Sequence, residues 1–209
     1  MTGIKNVIFD LDGTLSDSGI LTLAAMELAA PRFGLPMPAM DAVRAATGFA
    51  NPEFYYILYP DTSREKLREM GQMVEEDELR LLPGVRDRLL FKDARELLNE
   101  LIARKINLYI ASTGDNDHVF SILRETGIRD FFMTVSCGRP DKVKMLGDII
   151  GDGDKSSFIM VGDMKKDSEG ARANGILSVG ACYGYCKREL GEFDLYINNP
   201  MELLDILER

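Results

Sequence analysis

Short apolar segments recur along this chain, and each is followed by a polar turn and then by a helical pattern. They lie at residues 7–9, 108–111, 133–135, 158–161, 177–179 and 195–197. Segments this short and this apolar are typical of strands buried on both faces, as the strands of a parallel sheet are. The alternation predicts an α/β fold: a Rossmann-like parallel sheet with helices on both faces, joined by right-handed crossovers.

The stretch from about residue 17 to residue 90 departs from this alternation, because it contains helical patterns but no convincing strand. The patterns lie at residues 20–32, 40–46, 53–58 and 64–82, and prolines 31, 36, 38, 52, 60 and 83 mark expected helix boundaries. We therefore predict two domains. Residues 1–16 and 91–209 form the α/β core, and residues 17–90 form a small all-helical domain inserted after the first strand.

The overall charge restricts the classes of partner. The 209 residues carry a formal net charge of −9, and hydrophobic residues make up 45% of them, which is ordinary for a globular protein. Nucleic acids and anionic membranes attract basic surfaces, so neither is expected as the main partner. A small anionic substrate remains compatible with one locally positive site.

The cysteines and the apolar segments bear on the compartment. Cys137, Cys182 and Cys186 are too few for a disulfide framework. We find no signal peptide and no apolar stretch of about 18 residues that could span a bilayer. These features favour a cytoplasmic protein, and they give no indication of its oligomeric state.

Carboxylates stand in the loops that follow two of the predicted strands. Asp10 and Asp12 follow the first strand, Asp163 follows the strand at residues 158–161, and Asp167 comes one helical turn later. Because the carboxyl ends of parallel strands meet at one edge of a sheet, we expect these side chains to converge. Such a cluster persists only around a cation or with some groups protonated. Oxygen ligands without paired His or Cys favour a hard cation such as Mg²⁺.

Hydroxyl and ammonium groups are expected at the same edge. Ser112 and Thr113 follow the strand at residues 108–111, and Lys142 and Lys144 lie at the start of a predicted helix. Lysine supplies a compact positive charge, and hydroxyl and backbone N–H groups donate hydrogen bonds to anions. The edge is therefore suited to a phosphoryl group beside a metal ion, with either lysine as its cation.

These motifs resemble the haloacid dehalogenase superfamily, and in particular its phosphoglycolate phosphatase-like branch, whose members carry a helical cap after the first strand. The resemblance covers the whole predicted core. It is carried by Val7–Ser18 (Val-Ile-Phe-Asp-Leu-Asp-Gly-Thr-Leu-Ser-Asp-Ser), Ile110–Thr113 (Ile-Ala-Ser-Thr), Lys142 and Val161–Asp167 (Val-Gly-Asp-Met-Lys-Lys-Asp). The spacing around Lys142 matches the family better than that around Lys144, although the family's frequent Lys-Pro pair is absent.

The resemblance implies a reaction in two steps. Asp10 is the expected nucleophile and forms an aspartyl-phosphate. Asp12 is the expected acid and base, which requires a pKa raised by neighbouring carboxylates. Ser112, Thr113 and Lys142 are the expected ligands of the phosphoryl oxygens.

The resemblance also implies a magnesium site. The Asp10 carboxylate, the backbone carbonyl of Asp12 and the Asp163 carboxylate are its expected ligands, and Asp167 is expected to order metal-bound waters or Lys142. The expected activity is magnesium-dependent hydrolysis of a small phosphomonoester. Two alternatives stay open: a phosphomutase of the β-phosphoglucomutase type, and a phosphate-binding relative without turnover.

His118 is the sole histidine of the chain. We expect it early in the helix that follows Ser112, on the exposed face of that helix. A lone surface histidine of this kind is more often a solvated side chain than a ligand.

Overall fold

A parallel sheet of six strands lies at the centre of the chain, of which the computed structural model describes residues 3–47, 49, 51–185 and 192–208. Its strand order is β3-β2-β1-β4-β5-β6, and all neighbouring strands are parallel. The strands are β1 (Asn6–Phe9), β2 (Asn107–Ala111), β3 (Phe132–Ser136), β4 (Phe158–Gly162), β5 (Leu177–Ala181) and β6 (Leu195–Ile197). Each of the predicted strands is present, which confirms the Rossmann-like α/β class.

The apolar strands separate two hydrophobic layers. Val7 and Phe9 of β1 belong to one cluster of buried side chains, and Ile8 between them belongs to another. This follows from the strand geometry, in which successive side chains point to opposite faces. Helices cover both layers. Leu97, from the helix at residues 94–103, belongs to the first cluster, and Met145, from the helix at residues 142–150, belongs to the second.

The described part of the chain contains nine α-helices. They are α1 (Gly19–Ala29), α2 (Met40–Ala46), α3 (Glu53–Leu58), α4 (Arg64–Val85), α5 (Ala94–Ala103), α6 (Asn116–Glu125), α7 (Lys142–Ile150), α8 (Lys165–Asn174) and α9 (Glu202–Glu208). Helices α2 and α3 have the predicted bounds, and α7 begins at Lys142, where a helix was predicted to start. Within the described ranges, no helix combines the length and the apolar composition that a membrane crossing demands.

Helix α4 differs from the prediction at its C-terminal end. Pro83 was expected to end the helix, but α4 continues through it to Val85, so that expectation was wrong. Proline cannot donate a hydrogen bond to the carbonyl four residues earlier. Here that carbonyl belongs to Leu79, whose side chain is exposed, so water can replace the missing donor near the helix end.

The helices of the insert have a hydrophobic cluster of their own. Its buried members all lie between Ala25 and Val74, whereas Leu21 and Leu82 join the cluster on the sheet. The two chain crossings run side by side: the Asp17 N–H donates to Leu89 O at 2.7 Å, and the Phe91 N–H donates to Leu15 O at 3.0 Å. The division into two domains at residues 16 and 90 stays a prediction.

Candidate active site

The sheet reverses its strand order between β1 and β4, and this is where ligands bind in open α/β sheets. Asp10 follows β1 directly, Asp163 follows β4, and Asp167 lies in the first turn of α8. All three are buried, and one carboxylate oxygen of each lies within 4.8 Å of the others. The structure therefore brings together three of the predicted carboxylates from two distant parts of the chain.

Lys142 lies among these carboxylates and is only 3% exposed. Its Nζ lies 2.8 Å from Asp10 Oδ1 and 2.8 Å from Asp167 Oδ1, and it donates a 2.6 Å hydrogen bond to Ala111 O. Burial alone would lower the pKa of Lys142, but the two carboxylates raise it above its usual value, so the ammonium stays charged.

The structure distinguishes Lys142 from Lys144. The Lys144 side chain is exposed, whereas Lys142, at the start of α7, is buried. Gly170 of α8 makes room for the Lys142 stem, because a Cβ on this glycine would lie 3.1 Å from Lys142 Cγ. Of the two candidate lysines, Lys142 is the one at the carboxylates.

The net charge of the cluster favours binding of a divalent cation. Burial, partly offset by Lys142, raises the pKa of Asp10 to about 6. Burial, followed by the charges of Asp10 and Asp167, raises the pKa of Asp163 well above its usual range. With all groups ionised, three carboxylates and one ammonium carry a net charge of two negative units, which a divalent ion would neutralise.

The backbone around Asp163 is shaped to hold its carboxylate at the cluster. Oδ2 accepts a 2.9 Å hydrogen bond from the Tyr185 N–H, and Oδ1 accepts one of 3.3 Å from Thr14 Oγ1. Gly13 has a φ of +82°, and a Cβ at this position would lie 2.3 Å from Asp163 Oδ2. A buried set of hard oxygen atoms in such a fixed arrangement fits Mg²⁺.

The Asp12 side chain lies apart from this cluster and contacts His118. Its Oδ1 is 2.9 Å from His118 Nε2. Burial would raise the pKa of Asp12, but the charge and hydrogen bond of His118 outweigh it, and the pKa lies below its usual value. The expectation of a raised pKa was therefore wrong, because the neighbour of Asp12 is an imidazole and not another carboxylate. No observation tests its backbone carbonyl as a ligand.

His118 corrects another expectation. It lies in the first turn of α6, as predicted, but its side chain is only 18% exposed. Its Nδ1 lies 3.7 Å from Oε2 of Glu78 on α4. Burial would lower the pKa of His118, yet Asp12 and Glu78 raise it well above its ordinary value. The position of the sole histidine six residues after Ser112 was the available sequence signal, but its partner Glu78 is 40 residues upstream.

Ser112 and Thr113 lie at the end of β2, on the same rim. The Ser112 hydroxyl is buried and accepts a 3.1 Å hydrogen bond from the Gly114 N–H. The Thr113 hydroxyl accepts a hydrogen bond from Lys166 Nζ. Both residues and Lys166 line the cavity next to Asp10, and Lys166 was not among the predicted site residues. Phosphate binding by Ser112, Thr113 and Lys142 remains a prediction.

The cavity has a volume of about 1160 Å³ and lies between the sheet edge and the helical insert. Asp10 and Asp12 line it on the side of the sheet. Five further acidic residues, which we term the acidic wall, are among its other lining residues: Glu75, Glu76, Glu78, Asp115 and Asp117. Arg139 also lines the cavity, but its guanidinium pairs with Asp148 at 2.9 Å.

Comparison with known proteins agrees with this geometry. The profile of the haloacid dehalogenase-like hydrolase family matches residues 7–181. A phosphoglycolate phosphatase from Synechococcus elongatus is 30% identical over 199 residues, which cover 89% of this chain and 87% of the relative. A phosphoglycolate phosphatase from Salmonella paratyphi A is 26% identical over an alignment 239 residues long, which covers 99% of this chain and 94% of the relative.

Solved structures show the same architecture over the full length. A haloacid dehalogenase-like hydrolase from Streptococcus pneumoniae superposes with a TM-score of 0.83 at 25% identity, covering 99% of both chains. A predicted phosphoglycolate phosphatase from Haemophilus somnus gives a TM-score of 0.87 at 20% identity, again covering 99% of both chains. The chain therefore belongs to the haloacid dehalogenase-like hydrolases and is an enzyme of their phosphatase branch, similar to phosphoglycolate phosphatases.

Proposed function

We propose that this enzyme is a magnesium-dependent phosphatase that hydrolyses a small phosphomonoester through an aspartyl-phosphate on Asp10. The observation that carries this proposal is the buried set of Asp10, Asp163 and Asp167 around Lys142. Asp10, one member of this set, lines a cavity large enough for a small substrate.

The first step forms the covalent intermediate. A carboxylate oxygen of Asp10 attacks the phosphorus atom, and the bond from phosphorus to the alcohol oxygen breaks. Asp12 must be protonated for this step, although His118 lowers its pKa in the free enzyme, and it donates that proton to the departing alkoxide. Lys142, Ser112 and Thr113 hold the phosphoryl oxygens during the transfer.

The second step releases phosphate. Asp12 removes a proton from a water molecule, whose oxygen attacks phosphorus while the bond to Asp10 breaks. Mg²⁺, when held by Asp10, the Asp12 carbonyl and Asp163, supplies positive charge that offsets the charge of the phosphoryl group. Asp167 keeps Lys142 in place through their 2.8 Å contact, and it would order waters around the ion when the ion is bound.

The experiment that tests this function uses a generic aryl phosphate. The enzyme should hydrolyse p-nitrophenyl phosphate with Mg²⁺ and lose activity with a chelator. Asp10→Asn should lose activity by about 1,000-fold or more, because it removes the attacking carboxylate. Full activity in Asp10→Asn, or in chelator, would contradict the proposal.

Product analysis distinguishes two other functions from hydrolysis. A phosphomutase would transfer the phosphoryl group to a second hydroxyl of a sugar phosphate, so a sugar monophosphate with a bisphosphate primer would yield an isomer instead of inorganic phosphate. A phosphate-binding relative would bind esters without turnover. The presence of both Asp10 and Asp12 favours the phosphatase over the binding protein, which has no chemical need for an acid and base.

The identity of the alcohol portion is a separate part of the proposal. The two relatives named above are phosphoglycolate phosphatases, and phosphoglycolate carries a carboxylate beyond its phosphate. In this chain that carboxylate would face the acidic wall. We therefore propose that the alcohol portion is uncharged or cationic, as in a sugar phosphate or an amino alcohol phosphate.

We also propose that the enzyme acts in the cytoplasm. Cys137 and Cys182 are free cysteines, which fits a reducing compartment. Cys186 lies outside the described residues. Fractionation of cells that express the tagged protein would test this placement.

A further inference from the structure

His118 joins two parts of the molecule that are far apart in sequence. On one side its Nε2 lies 2.9 Å from Oδ1 of Asp12, in the loop after β1. On the other side its Nδ1 lies 3.7 Å from Oε2 of Glu78, on helix α4 of the insert. Both ring nitrogens therefore face carboxylates, one from the core and one from the insert.

The contact continues into the insert. Oε1 of Glu78 accepts a 2.5 Å hydrogen bond from Thr22 Oγ1 on α1. Helices α1 and α4 pack against each other along the insert. The orientation of Glu78, and with it that of the imidazole, is thus fixed by the packing of the insert.

The imidazole of His118 is mostly buried and closely packed. The side chains of Asp12, Glu78 and His118 are 13%, 14% and 18% exposed. Gly114 stands beside the imidazole, and a Cβ at this glycine would lie 3.3 Å from His118 Cδ2. The ring therefore occupies a defined space at the cavity, next to the expected acid and base.

A carboxylate that donates and then removes a proton must point at two different oxygen atoms in turn. A side chain held within hydrogen-bond reach of both is more effective than one that rotates freely. A group that holds such a carboxylate acts on the proton-transfer steps and not on the binding of the phosphoryl group.

We propose that His118 is a positioning residue for Asp12, and that Glu78 of the insert holds His118 in place, so that the packed insert completes the acid–base group. The inference rests on the proposed phosphatase function. It adds to that function two residues, one from α6 and one from the insert.

The test uses the dependence of the rate on the leaving group. p-Nitrophenolate departs with little help from an acid, whereas an alkoxide needs a proton. His118→Ala should lower kcat on an alkyl phosphate by about 100-fold, the range of general acid catalysis, while kcat on p-nitrophenyl phosphate falls only a few-fold. His118→Gln, whose amide can reach Asp12, should recover part of the loss.

Glu78→Ala should show the same selective loss on the alkyl phosphate. Combined with His118→Ala it should add little further loss, because the two residues act on Asp12 through one path. Glu125→Gln is the matched control, since Glu125 is exposed at the far end of α6, the helix that carries His118. It should leave both rates unchanged.

Several results would overturn the inference. Equal losses on both substrates in folded His118→Gln and Glu78→Ala would indicate a structural role, and unchanged rates would indicate no role. Fully additive losses would separate Glu78 from His118. Wild-type enzyme and Asp10→Asn are run in the same assay to separate failure of this inference from failure of the proposed function. If the proposed function fails, the wild type releases no phosphate from either ester, or Asp10→Asn remains active. The inference would then fall with the proposed function.

Discussion

At the scale of single residues, the site depends on a buried lysine whose charge is matched by carboxylates. Lys142 contacts Asp10, Asp167 and the carbonyl of Ala111 and is almost fully inaccessible to solvent. An ammonium so enclosed is tolerated only because its partners stabilise the charge. The same contacts hold the Asp10 carboxylate at the edge of the cavity.

Lys142→Ala is expected to destabilise the metal-free enzyme by about 3 kcal/mol, because it leaves buried carboxylates without their partner. Activity on p-nitrophenyl phosphate should also be lost. Lys144→Ala is the control from the same helix, and as an exposed substitution it should change stability by less than about 0.5 kcal/mol. Urea unfolding and steady-state rates measure both quantities. Similar effects of the two substitutions would refute the assignment of Lys142.

The pKa of Asp10 predicts how magnesium and pH act together on stability. The pKa of Asp10 is about 6 in the folded, metal-free chain, whereas an unperturbed aspartate, as in the unfolded chain, has a pKa of 3.8. The folded chain therefore holds a proton that the unfolded chain releases, so the contribution of Asp10 to stability decreases as the pH rises from about 4 to 6. Mg²⁺ requires the deprotonated group, so protons compete with it over the same interval.

Mg²⁺ should accordingly raise the thermal midpoint of the enzyme more at pH 7 than at pH 5. The measurement compares unfolding curves with Mg²⁺ and with a chelator at both pH values. Asp163→Asn should reduce the shift, because it removes an expected ligand. An equal or larger shift at pH 5 would contradict the assignment of Asp10 to the metal site.

At the scale of secondary-structure elements, the strands and the loops after them could be predicted from the sequence alone. Apolar segments such as Val7–Phe9 have few alternatives to a buried strand, and parallel pairing then brings Asp10 and Asp163 to one edge. The contact of His118 with Glu78 could not be predicted in this way. It depends on how the insert packs on the core, which no local pattern specifies.

The turn after β1 is the element on which the carboxylate cluster depends most. Gly13 has a φ of +82° and lies against the Asp163 carboxylate, so two physical reasons favour glycine here. The chain must take a left-handed conformation, and a side chain would displace an expected metal ligand.

Gly13→Ala is therefore expected to lower activity by about 100-fold or more and to weaken stabilisation by Mg²⁺. Gly127→Ala is the matched control, because Gly127 also has a positive φ, +64°, but a Cβ there would meet nothing within 4 Å. It should cost about 1 kcal/mol of stability and leave activity unchanged. Equal activity of the two variants, measured at a temperature where both are folded, would show that the close approach to Asp163 is unimportant.

At the scale of the whole molecule, the cavity is lined by residues of both the core and the insert, including Glu75, Glu76 and Glu78 of α4. Under the proposed function, the core would hold the phosphoryl group and the insert would face the alcohol portion of the substrate. Substrate choice is thus separated from the chemistry, and the charge of the insert is expected to govern it.

Three esters of similar size test this expectation: phosphoethanolamine, 2-hydroxyethyl phosphate and phosphoglycolate, whose terminal groups are cationic, neutral and anionic. Their kcat/KM values should decrease in that order, with about tenfold or more between the first and the last. A single uncompensated charge interaction of about 1.4 kcal/mol suffices for this ratio. Glu75→Gln should reduce it, whereas Glu69→Gln, exposed on the same helix outside the cavity, should not. Preference for phosphoglycolate in the wild type would contradict the role of the acidic wall.

The central claim is that the phosphoryl group is transferred to Asp10. The most direct measurement is an acid quench of the enzyme during turnover with Mg²⁺, followed by mass spectrometry of its peptides. We predict phosphoaspartate at position 10 in the wild type, sensitive to hydroxylamine, and none in Asp10→Asn. Phosphate release by an enzyme that reproducibly carries its phosphoryl group on another residue, or active turnover by Asp10→Asn, would contradict the account.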